Sequence, residues 1–121
     1  MKTAVFATLL TMTPLVMAQE NVTGKYTGSF VAQAFGRDVD VGLTMVISSF
    51  EEGVVKGVAT MGGHACPGDY PFEGSLKGGE LAVRSNVKGG RAGDCTFGMR
   101  GTLQGNTIAG TMGRYALQLS K

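Results

Sequence analysis

The residues best equipped for chemistry gather in two glycine-rich segments. Gly62-Gly63-His64-Ala65-Cys66-Pro67-Gly68-Asp69 holds the only histidine and one of the two cysteines, and Gly89-Gly90-Arg91-Ala92-Gly93-Asp94-Cys95 holds the other. Three chemistries are open to them. His64 and Cys66 stand two apart and share a face in extended chain, so with Asp69 or Cys95 they offer a metal set of the His/Cys/carboxylate kind. A single H-x-C is not a zinc motif, however, and two cysteines in an exported chain pair with each other. The expectation is a Cys66–Cys95 disulfide, with no metal and no other cofactor. His64 could alternatively serve as a general base oriented by Asp69. No nucleophile motif accompanies it: G-x-S-x-G is absent, and Ser29 and Ser85 read as strand residues. An enzyme is therefore the third-ranked reading, and no catalytic residue is assigned. The remaining chemistry is anion binding, because Arg37, Lys88, Arg91 and Arg114 beside glycine-rich main chain suit a carboxylate, phosphate or sulfated group. Asp38, Asp69 and Asp94 compete for the same cations. Gly89 to Gly93 is not a phosphate-binding P-loop, since it leads into a strand and lacks the Gly-Lys-Ser/Thr ending.

The disulfide expectation rests on export. Lys2 precedes a run, Ala4 to Val16, that is apolar apart from threonines and Pro14, and Val16-Met17-Ala18 fits a small-x-small cleavage site. Residues 1–18 are expected to be a cleaved signal peptide, leaving 19–121 as one domain in the periplasm or outside the cell. The apolar run falls short of the ~20 residues that a spanning helix needs. No membrane span is expected after cleavage. The chain has eleven basic and nine acidic residues, a net charge of +2, with no long basic run. That balance gives nucleic acid no electrostatic foothold.

The elements that must position these segments are strands. Val22, Tyr26 and Phe30 share one phase with Gly24 and Gly28. In the next run Val39, Val41, Leu43, Met45 and Ile47 alternate with Asp38, Asp40, Gly42, Thr44 and Ser48. A loop is expected from Ala32 to Arg37. The run Val54 to Met61 is a strand of undecided facing. Further strands carry Tyr70, Phe72 and Leu76; Leu81 and Val83; Cys95, Phe97, Met99 and Leu103; Ile108 and Met112; and Tyr115, Leu117 and Leu119. Gly74–Ala82 repeats as Gly101–Ala109, each copy a hairpin with a glycine-containing turn. The expected fold is all-β: a small, glycine-rich, antiparallel up-and-down barrel of seven or eight short strands, or else a two-sheet sandwich. Glycines at 24, 28, 57, 74, 101 and 110 fall in the apolar phase, which predicts tight coiling and close backbone approach rather than a hollow interior.

Val22-Thr23-Gly24-Lys25-Tyr26 resembles the first strand of avidin-type barrels, where a similar Thr-Gly-Lys-aromatic stretch opens the meander. At the level of architecture the likeness extends to lipocalin-type barrels. Avidins line their biotin pocket with tryptophans and this chain has none, so the resemblance carries the architecture and not the pocket. In style the chain is also similar to small exported bacterial proteins with glycine-rich strands, a likeness that implies no activity.

In a meander the connections alternate between the two ends. The long connections and both cysteines then share one end, together with Arg37, His64, Asp69, Tyr70, Lys88, Arg91, Asp94 and Arg114. Barrel mouths are frequent ligand sites. The leading expectation is a non-enzymatic binding module that contacts a small molecule or anionic group through disulfide-braced loops. A protein-directed inhibitor or interaction protein is the alternative. A hollow apolar interior would favour the first, and a filled interior the second.

Overall fold

Period-two alternation recurs in successive runs from residue 24 onward, interrupted by turns and by the two glycine-rich segments, and the described strands follow it. The computed structural model describes residues 22–34, 36–62, 66–90 and 93–121. The signal peptide expected at 1–18, and His64 and Arg91, lie outside the described residues. The strands are β1 (Gly24–Ala34), β2 (Arg37–Glu51), β3 (Val54–Gly62), β4 (Gly68–Lys77), β5 (Glu80–Ser85), β6 (Gly98–Gln104), β7 (Thr107–Met112) and β8 (Tyr115–Ser120). They close in sequence order into an antiparallel barrel, with β8 returning to β1. This is the eight-stranded meander and not the sandwich. Among the described residues no helix is long and apolar enough to cross a membrane.

Two local features depart from simple alternation. Ala34 pairs with Arg37, so β1 and β2 meet in a tight hairpin where a longer loop was expected from Ala32 to Arg37. The apolar phase explains this, since Ala32 pairs with Val39 and Phe30 with Val41, which carries the ladder to its end. In β2 the register slips between Ile47 and Ser49. Ile47 and Phe50 lie an odd number of residues apart and would otherwise face opposite ways. The bulge adds the residue that lets both pack on the core. The undecided facing of β3 resolves with Val55, Ala59 and Met61 inside and Val54 and Val58 outside.

The end carrying the β2–β3, β4–β5 and β6–β7 turns is laced shut. Leu76 N–H donates to Gly53 O (2.9 Å), Leu103 N–H to Gly79 O (2.8 Å) and Lys121 N–H to Asn106 O (2.8 Å). Each turn thus docks on a strand further along the meander. Val22 is buried at this end, and its carbonyl accepts from the Tyr26 hydroxyl at 2.7 Å. Above this floor, Tyr26, Met45, Ile47, Val55, Ile108 and Leu119 fill the barrel with almost no exposure.

The inward glycines are what let so narrow a barrel close. A β-carbon on Gly28, Gly57, Gly74, Gly101 or Gly110 would strike the main chain of the neighbouring strand. The internal repeat has the same cause: Gly74 abuts the carbonyl of Ala82, and its counterpart Gly101 abuts that of Ala109, 2.7 Å from where a β-carbon would sit. Close approach, not an interior void, is therefore the role of these residues.

Candidate functional site

At the opposite end the strands splay around two arms tied by Cys66 and Cys95, whose α-carbons lie 5.7 Å apart. Each arm is anchored on the core side of the bridge. Gly89 and Cys95 exchange both main-chain hydrogen bonds, at 2.7 and 2.9 Å. Beneath them Ser85 is buried. Its Oγ accepts from Phe97 N–H (2.9 Å) and donates to Val87 O (3.1 Å), while Ser85 N–H donates to Phe97 O at 2.7 Å, so side chain and main chain together join β5 to the segment leading into β6. On the other arm the Tyr70 hydroxyl donates to Cys66 O at 2.9 Å, and the Tyr70 ring packs under Gly89. Tyr70 is fully buried. This corrects its place in the expected binding surface: its position in the apolar phase of β4 turns the ring inward, where it braces the mouth without facing solvent.

Between these arms and the β1–β2 and β7–β8 hairpins lies a cavity of about 470 Å³. Its wall is mainly apolar: Phe30 and Ala32 from β1, Val41 from β2, Met61 from β3, Met112 and Tyr115 flanking the last hairpin, and Cys66. Gln33 and Thr96 are the polar residues of the wall. Phe30 and Tyr115 lie in the apolar phase of their strands and were expected to be core. The signal that could have identified the wall is positional, since several of its residues are the last inward-phase residues before a mouth connection. Once the sheet closes, those positions form a ring with no further layer above it.

The charged residues expected at this end are distributed around it. Arg37, Lys88, Asp94 and Arg114 are exposed, and none of them lines the cavity. Asp69 lies on the outer face, where its carboxylate accepts from Thr60 Oγ1 at 2.9 Å. Arg114 reaches a lining residue: its Nη2 lies 3.5 Å from the Tyr115 hydroxyl, and its guanidinium carbon 5.4 Å from the ring centroid. Phe30 supports the same ring from the other strand, with centroids 5.7 Å apart. Because the disulfide engages both sulfurs, Cys66 offers no thiolate to the metal set considered from sequence.

The three tyrosines are distinguishable by titration. The hydrogen bond from Arg114, followed by one from the main chain of Gln33, holds the Tyr115 phenol below its ordinary value near 10. Burial pushes Tyr26 and Tyr70 above it. Tyr115 is expected to ionise first in an ultraviolet titration. The stability contributed by neutral Tyr26 and Tyr70 is full below their unfolded pKa and lost as pH rises through their folded values, so both should ionise together with alkaline unfolding. Simultaneous ionisation of all three in the folded protein would contradict this arrangement.

No protein-family model, no curated protein and no solved structure matches the chain.

Proposed function

We propose that the protein is an exported, non-enzymatic binding module that holds one small, mostly apolar molecule in the mouth cavity. The observation that carries this reading is the contrast between the two ends. One end is filled and laced shut by its turns, while the other leaves an apolar cavity bounded by disulfide-braced arms. An apolar wall with few polar groups is the usual composition of a small-molecule site. A protein-directed inhibitor would be better served by a filled interior. The disulfide suits an oxidising compartment, and with the leader expected at 1–18 it supports secretion or a periplasmic location.

The neutral probe N-phenyl-1-naphthylamine tests the reading. The protein is expected to bind it saturably at one site with enhanced fluorescence. Met112 lines the cavity and is only partly buried, so Met112→Trp fills the site at little cost to folding. That variant should weaken binding at least about tenfold, the loss expected when roughly 1.4 kcal/mol of apolar contact is denied. Unsaturable binding, or equal binding by a folded Met112→Trp variant, would overturn the reading.

A further inference from the structure

The barrel's closing seam differs from every other strand pair. β1 and β8 are laddered only at Thr27–Ser120, Gly28–Leu119 and Ser29–Gln118. Beyond Ser29, towards the mouth, β1 continues to Ala34 with no ladder partner in β8, although β8 itself reaches back to Tyr115. Side chains close the seam instead. Phe30 packs on Tyr115, and the side chain of Arg114 reaches the Tyr115 oxygen at 3.5 Å. Phe30, Gln33 and Tyr115 all line the cavity, so the seam and the site share one wall.

This geometry has a chemical consequence. The Arg114 guanidinium donates to the phenol oxygen, whose lone pairs accept while its proton stays on the hydroxyl. The hydroxyl proton is then left to donate to a further acceptor. Arg114 is exposed and has donors to spare, since a guanidinium carries five N–H groups in a planar fork. A phenol proton and a guanidinium edge side by side at the lip of an apolar cavity form a head-group site for an anion.

We infer that the ligand is a compact amphiphile with a single carboxylate, its apolar body in the cavity and its head group between Tyr115 Oη and Arg114 at the open β1–β8 seam. A planar carboxylate matches the fork of an arginine. A monoanion also enters an apolar wall at lower desolvation cost than a dianion such as a phosphate monoester. This inference rests on the small-molecule reading above and adds the head-group chemistry.

Calorimetric titration with octanoate and with 1-octanol separates the two levels. Octanoate is expected to bind at least about tenfold more tightly than octanol. Arg114→Gln should erase that advantage while leaving octanol binding unchanged. Tyr115→Phe, which keeps the ring against Phe30, should weaken octanoate severalfold and octanol by less. Equal affinity for acid and alcohol in the unsubstituted protein would overturn the head-group assignment and leave the cavity reading standing. So would an octanoate preference that survives Arg114→Gln. Failure of both ligands to bind would overturn the cavity reading and this inference with it.

Discussion

Gly57→Ala is expected to destabilise the protein by about 3 kcal/mol or more, at or beyond the upper end of ordinary overpacking. The added methyl would collide with the main-chain carbonyl of Val46 on β2 and lie 2.8 Å from Phe72 Cζ on β4. A side chain can rotate away, but a ladder carbonyl cannot move without displacing its strand. Gly42→Ala is the matched control. It lies on the outer face of β2, with nothing within 4 Å of the new methyl. That substitution should be neutral, or stabilising by about 0.5 kcal/mol through a less flexible unfolded chain. Urea unfolding of the two variants gives the comparison. Equal effects would mean that the inward glycines do not mark strand contact.

Removing the disulfide should have a comparable global cost and a distinctive local one. The bridge closes a loop of sequence separation 29, which in the chain-entropy model contributes about 3–4 kcal/mol. For a chain of this size, that corresponds to a fall in Tm of roughly 15 °C or more. The bridge spans β5 and ties the two arms that wall the cavity. Cys66→Ala with Cys95→Ala should therefore speed amide exchange first at Gly89, position 95 and Tyr70. Leu76, Leu103 and Lys121, whose N–H groups lace the turn end, should stay protected. Probe binding should weaken alongside the mouth amides. Uniform loosening of both ends would contradict the division of the barrel into a braced mouth and a laced floor.

The fold was legible because its information is local. Alternation in Val39 to Ile47, the glycine turns and the paired copies at Gly74–Ala82 and Gly101–Ala109 each specify a hairpin, and consecutive hairpins leave little choice but a meander. The disulfide was legible because the chain has two cysteines and its N-terminal segment led to the expectation of export, where each has one partner. The site was less so. Tyr70 was grouped with the mouth residues because it lies beside the expected mouth, although strand phase directs it inward. The cavity wall brings Phe30 against Tyr115, and nothing local to either strand reports where β1 and β8 part. That seam depends on barrel closure, the longest-range pairing in the chain. Likewise, Arg114 was grouped with other cations by topology, yet what distinguishes it is contact with a tyrosine across the seam from Gln33.

The methionine methyls offer the most direct test of the central claim. Met61 and Met112 line the mouth cavity, whereas Met45 is fully buried deeper in the barrel, between Tyr26 and Ala59 in register. With methyl-labelled methionine, titration with octanoate should shift the Met61 and Met112 resonances saturably and together. Met45 should remain in place. Saturable binding that moves neither Met61 nor Met112 would show that the ligand sits elsewhere and would contradict the account.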